Sequence, residues 1–195
     1  MRVSLRGTDP LVWREFGAPA NYTIEDLHEI LQIVMGWHSY HCHVFRIPGK
    51  EYSCDIGLEG VSSQSIQLAT AFKKSSGSFE YVYDFGDYWC HDVTLVRGLM
   101  AREEDPPPLC WDGAMAGPPE DVGGIAGFAD FKRILEDPMH EERNDWQTWA
   151  GSTYRPDCFS AKQATAGLIG WWRCRSRLGN YINTHLQTAG IDGKS

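Results

Sequence analysis

The sequence predicts an α+β fold, a mostly antiparallel sheet built from hairpins with helices packed against it. Two observations carry this. Residues 79–95 read as two alternating runs joined at Gly86-Asp87, the signal of an antiparallel hairpin. Helical and extended segments are also mixed along the chain rather than strictly alternating, which disfavours a doubly wound parallel sheet.

The elements follow in order. Met1 to Gly7 reads as a short strand ending at a Thr8-Asp9-Pro10 turn, and Leu11 to Phe16 resumes in extended form with Trp13 as its anchor. Thr23 opens a helix, where Thr23 and Asp26 approximate a capping box with Asp26 in the place of the usual Glu or Gln. Ile24, Leu27, Leu31, Val34 and Met35 then recur at helical spacing as one apolar stripe, and Gly36 supplies the stop. His41 to Ile47 has strand character, with His41, His43, Phe45 and Ile47 on one face and Cys42, Val44 and Arg46 on the other. Pro48-Gly49 turns the chain into a second extended piece, Glu51 to Ile56, and residues 57–77 form a polar loop with a helical turn around Ile66 to Phe72.

In the hairpin, Phe79, Tyr81, Tyr83 and Phe85 share one face, and Glu80, Val82 and Asp84 the other; the return strand places Trp89, His91, Val93 and Leu95 together. Residues 101–124 hold five prolines and four glycines, which predicts a long loop of the kind that often carries function. Phe128 to Leu135 is a short helix closed by Asp137-Pro138, and Asn144 to Ala150 carries Trp146 and Trp149 at helical spacing. The domain is expected to span residues 1–160, with 161–195 a basic, Trp-containing C-terminal extension.

Composition bounds the function. A chain of 195 residues with 42% hydrophobic content suits one domain with a real core. Eight each of Trp, Tyr and Phe are many for this length, so a share of them is expected at a surface. The 26 acidic and 18 basic side chains give a net charge of −8, which argues against broad electrostatic capture of nucleic acid or anionic membrane. No apolar stretch is long enough for a membrane span, and the polar N-terminus lacks a signal-peptide core. Six cysteines without a Cys-x-x-Cys pair predict free thiols in a reducing cytoplasm. Phosphate-cradling loops, dinucleotide fingerprints and nucleophile elbows are absent from the sequence.

Three constellations could carry chemistry. On a strand, His41 and His43 would sit roughly 6.5–7 Å apart on one face, a spacing at which two imidazoles share a divalent metal ion. His91 and a carboxylate from Asp84, Asp87, Glu120 or Asp121 would complete the shell; otherwise these histidines hydrogen-bond to buried carbonyls or stack on aromatics. Asp84 and Asp87 bracket the hairpin turn, where they serve as general base and metal ligand, recognise a cationic partner, or bind turn amides. Pro118-Pro119-Glu120-Asp121 before Gly123-Gly124 would hold two carboxylates in a fixed orientation, for acid/base work, for capping the helix near Phe128, or for pairing with an Arg. Cys110 is a lone thiol without a local nucleophile signature.

The stretches WREFGAP, LHEILQIVMGWHSYHCHVF, YVYDFGDYWCHDV, CWDGAMAGPPEDVGG, DPMHEER and DWQTWAG occur in that order. In these the chain resembles the plasmid pRiA4b ORF-3-like family, also labelled insertion-element passenger proteins of a "TnpR" type. The resemblance implies a compact α+β domain carried on plasmids and mobile elements, without an established activity; no serine-recombinase core accompanies the label. Relatives often carry cysteines where this chain has Gly117 and Val122. The resemblance ends near residue 160. Beyond it, Lys162, Arg173, Arg175 and Arg177 stand in a stretch free of acidic residues, an amphipathic helix that would either bind nucleic acid, an acidic partner or a membrane surface, or dock on its own acidic domain.

The leading expectation is a non-enzymatic module that binds a protein or peptide through an acidic aromatic surface of Tyr81, Tyr83, Asp84, Asp87, Trp89, Glu120 and Asp121. The alternative is a metal-dependent, hydrolase-like enzyme using His41, His43 and His91. A nucleic-acid accessory role through the basic tail is a third.

Overall fold

The computed structural model describes residues 1–53, 61–62, 66–97 and 106–188. Eight strands, β1 (Arg2–Leu5), β2 (Trp13–Gly17), β3 (His43–Ile47), β4 (Lys50–Ser53), β5 (Val61–Ser62), β6 (Ser78–Tyr83), β7 (Trp89–Thr94) and β8 (Leu109–Ala114), form one sheet in the order β5-β4-β3-β6-β7-β1-β2-β8. All neighbours are antiparallel except β4 and the two-residue β5. Five helices accompany it: α1 (Ile24–Met35), α2 (Leu68–Lys74), α3 (Gly124–Glu136), α4 (Arg143–Trp149) and α5 (Ala161–Thr188). The α+β expectation holds.

Helix α1 forms where its local signals placed it. Thr23 Oγ1 accepts from the Asp26 amide at 3.1 Å and Asp26 Oδ2 accepts from the Thr23 amide at 2.9 Å, so the capping box closes with Asp in the Glu position. Gly36 ends the helix at φ 86°, a left-handed conformation that glycine adopts without strain. The buried side of α1 packs with the sheet's inner face, where Val3, Leu5, Phe16, Phe45, Tyr81, Tyr83, Trp89 and Val93 are all fully buried. Burial of each large side chain of this kind contributes about 1.5–3 kcal/mol. On the other face of β6 and β7, Arg6 pairs with Glu80 and Asp92, and Arg46 with Glu80 and Glu51.

Four expectations are corrected. Residues 109–114, expected inside a long loop, form β8, which pairs with β2 from Trp13↔Ala114 to Gly17↔Leu109. Cross-strand pairing decides here, against a local composition dominated by Pro and Gly. Helix α3 starts at Gly124 rather than near Phe128, after Gly123 at φ 94°. Strand β3 starts at His43, leaving His41 in a bend. Asp84, at φ 57°, ends β6 and reverses the alternation, so that Phe85 turns outward (44% exposed) and Asp84 inward (6%). The extended piece reaches Ser53; its expected continuation to Ile56 lies outside the described residues.

The start of the C-terminal extension docks on its own domain. Ala164 and Leu168 of α5 enter the core, and Thr165 Oγ1 donates to the Cys110 carbonyl at 2.7 Å while accepting from its amide at 3.1 Å. Arg175 grips both oxygens of Asp26, at 2.9 and 3.0 Å, and its guanidinium lies 4.5 Å from the centre of the Tyr22 ring. Opposite charge and an apolar stripe together fix this helix to α1.

Candidate functional site

Most of the expected aromatic surface is interior. Tyr81, Tyr83 and Trp89 are each 0% exposed, because β6 and β7 are central strands and their aromatic face is covered. Trp37, just past α1, stacks on Tyr83 at 4.9 Å and on Trp89 at 6.2 Å, and its indole N–H donates to the Pro118 carbonyl at 2.8 Å. At the turn itself Phe85 and Tyr88 are exposed.

The three expected metal-binding histidines do not converge. His43 is buried and stacks on His28 with ring centres 3.7 Å apart. Tyr81 Oη accepts from Gln32 at 3.0 Å and shares a hydrogen bond with His28 Nδ1, 2.8 Å away. Burial lowers the His28 pKa to about 3, with neighbouring His43 adding to the effect. His91 is fully buried against the edge of Trp37, and burial lowers its pKa to about 4. At neutral pH, His28 and His91 are therefore uncharged core imidazoles. His41 goes elsewhere: its Nε2 lies 3.7 Å from Asp84 Oδ2 and 3.3 Å from Asp121 Oδ1.

The Pro-Pro-Glu-Asp loop is fastened by its own carboxylate. A Cβ at Gly117 would come within 2.1 Å of the Met35 carbonyl oxygen, so glycine is what lets the loop pass the end of α1. Glu120 Oε1 accepts from the Tyr83 hydroxyl at 2.5 Å, and Oε2 accepts from the His38 amide at 3.1 Å. Asp87 Oδ2 accepts from the Gly123 amide at 3.2 Å, tying the hairpin turn to the end of the loop. Neither Glu120 nor Asp121 caps α3, whose N-cap Gly123 carries no side chain. Glu120 is thus a structural clasp, half of the pair the sequence offered. Tyr83→Phe is expected to cost about 1.5–3 kcal/mol, read as a shift in the urea unfolding midpoint, because the bond it removes ends on a carboxylate.

Asp121 is free of that duty: it is 70% exposed and stands at φ 61°. It borders two depressions. One, of about 600 Å³, is lined by Arg14, Pro118, Pro119, Glu120, Asp121 and Trp149 among others. The second, of about 370 Å³, is lined by Asp121, Glu142, Asp145, Trp146 and Trp149. Trp146 and Trp149 meet edge to face at 5.2 Å, and Trp149 is 48% exposed.

A family model described as plasmid pRiA4b ORF-3-like protein matches residues 1–163, a span that contains every residue of these two depressions except Ala164 and Gly167. The chain belongs to the plasmid pRiA4b ORF-3-like family. The uncharacterised protein y4hQ of Sinorhizobium fredii (strain NBRC 101917 / NGR234) is 33% identical over 161 residues, covering 78% of this chain and 80% of that one. The crystal structure of MM3350 from Methanosarcina mazei Go1, a protein of unknown function, superposes with a TM-score of 0.75 at 35% identity, covering 83% of this chain and 93% of that one. The fold is therefore shared with the Methanosarcina mazei protein, and no helix among the described residues is long and apolar enough to cross a membrane.

The residues that sequence reasoning missed are Arg14, His28, Glu142 and Asp145. Arg14 and His28 had a signal. Alternation in Trp13-Arg14-Glu15-Phe16 puts Arg14 on the inward face with Phe16, and His28 and Gln32 lie four apart within the apolar side of α1. A polar residue at an inward position marks either a network or a site.

Proposed function

We propose that this chain is a binding module for a basic peptide segment of a partner protein, taken up where the Pro118–Asp121 loop meets α4. The observation that carries this is the lining of the smaller pocket: three carboxylates, Asp121, Glu142 and Asp145, and two indoles, Trp146 and Trp149, with no basic side chain among them. A guanidinium or ammonium there gains from the indole face and from charge-assisted hydrogen bonds to the carboxylates. The net charge of −8 steers a cationic segment towards the protein. An acidic aromatic surface is thus retained as the working surface, moved from the buried hairpin face to the corner beside it. The nucleic-acid reading draws less support, since Arg175 of the basic tail is turned to Asp26.

Fluorescence anisotropy with a labelled hexa-arginine peptide and the full chain tests this. Saturable binding is expected, weakened about tenfold or more by Trp149→Ala and by the Glu142→Gln/Asp145→Asn double variant. Absence of binding, or equal binding by all three proteins, contradicts the proposal.

A further inference from the structure

We infer a second site beside the peptide pocket: a divalent transition-metal ion of the manganese or zinc class, held by His41 Nε2, Asp84 Oδ2 and Asp121 Oδ1. These three donors lie within 4.8 Å of one another. A tetrahedral or octahedral ion with metal–ligand bonds of about 2.0–2.2 Å places neighbouring donors roughly 3.0–3.6 Å apart. His41 Nε2 stands 3.3 Å from Asp121 Oδ1 and 3.7 Å from Asp84 Oδ2, close to that spacing without rearrangement.

Two further observations point the same way. His41 Nε2 is sealed from solvent and makes no hydrogen bond among the described residues, although two carboxylates face it. Asp84, whose side chain is 8% exposed, uses Oδ1 for the Gly86 amide at 2.8 Å and leaves Oδ2 directed at His41 with no hydrogen bond to a described residue. A buried imidazole nitrogen without a hydrogen-bond partner is costly unless something joins it to the carboxylates it faces. Both aspartates also hold left-handed backbone, φ 57° at Asp84 and φ 61° at Asp121. That conformation turns Asp84 inward at the end of β6. Asp121 reaches the same point from the opposite loop, which Glu120 and Asp87 anchor on either side of it. One nitrogen and two carboxylate oxygens suit an ion between the zinc and manganese preferences, and three protein ligands leave coordination positions for solvent. Asp121 borders both sites, so the metal would sit at the rim of the peptide pocket.

The test titrates Mn²⁺ into the chelator-treated full chain and follows the loss of the free-ion electron paramagnetic resonance signal; Mn²⁺ is chosen because it disfavours the thiolates of the free cysteines. About one equivalent is expected to bind and to raise the melting temperature of the native chain. His41→Ala is expected to abolish uptake, and Asp121→Asn to weaken it tenfold or more. Asp121 is exposed and makes no hydrogen bond the fold depends on, so that variant remains informative if His41→Ala does not fold. No uptake of Mn²⁺ or of Zn²⁺ by the native chain, or uptake unchanged in Asp121→Asn, overturns the proposal. Trp149→Ala should leave Mn²⁺ uptake intact while impairing peptide binding, so the two proposals fail separately.

Discussion

Lowering the pH from 7 to 5 is expected to remove about 4 kcal/mol of folding stability, most of it through His28 and His91. Both rings are buried, and burial holds their folded-state pKa values at about 3 and about 4. In the unfolded chain the same imidazoles take up protons near pH 6.5. Between these limits the unfolded state binds more protons than the folded one, so stability falls as pH falls. Their contribution is complete above about pH 6.5, declines by about 1.4 kcal/mol per pH unit for each ring, and levels off below pH 4 for His91 and pH 3 for His28. Urea unfolding across pH 4–7 measures it. A native chain with a flat profile would sink the idea, and His91→Leu should reduce the slope by about half even if its absolute stability differs. Arg46 and Arg6 hold Glu80, and Arg6 holds Asp92, below the ordinary carboxylate range; that contribution is lost only as pH falls below about 5, so the histidine slope is read between pH 7 and 5.

Arg14→Met is the substitution from which the largest loss is expected, about 4 kcal/mol. Arg14 is 1% exposed, and no carboxylate pairs with it among the described residues. Its guanidinium donates instead to the carbonyls of Val34, Trp13 and Ala114, each at 2.8 Å, and lies 3.9 Å from the centre of the Phe159 ring. Burial lowers its pKa to about 10, which still leaves it charged at neutral pH. One side chain therefore ties the last turn of α1 to β2 and β8. Methionine keeps much of the volume and leaves buried carbonyl acceptors behind, each costing about 1–3 kcal/mol. Unfolding of the variant by urea reads the loss directly; a midpoint within experimental scatter of the native value contradicts this view of Arg14.

How much of this was legible in the sequence follows from how local each signal is. Helix α1 and the β6–β7 hairpin were readable because a cap, a period and a turn each lie within a few residues. Strand β8 was not, since its pairing partner β2 lies some ninety residues away and its neighbourhood is full of Pro and Gly. At the site, the carboxylates Asp84, Asp87, Glu120 and Asp121 were all visible as candidates, but their division of labour was not. Glu120 and Asp87 fasten the loop, whereas Asp84 and Asp121 face His41, and the hydrogen bonds that separate these roles span distant segments. The His41–His43 pairing failed for a local reason. Alternation holds only while the strand lasts, and β3 begins at His43. The aromatic row was mistaken for a surface because a row of Tyr and Trp looks the same in sequence whether a helix covers it or not; Trp37 and α1 cover it here. The Trp146–Trp149 spacing marked the helix that carries Trp149, but spacing alone does not tell an indole that reaches solvent from one that is covered.

The most direct measurement of the central claim follows the tryptophan indole N–H resonances of the ¹⁵N-labelled chain while a hexa-arginine peptide is added. The indoles of Trp146 and Trp149, assigned through single substitutions, are expected to shift saturably, while those of the buried Trp37 and Trp89 stay in place. Shifts confined to other tryptophans, or no shifts at peptide concentrations that saturate the anisotropy signal, would contradict a basic-peptide pocket at this corner.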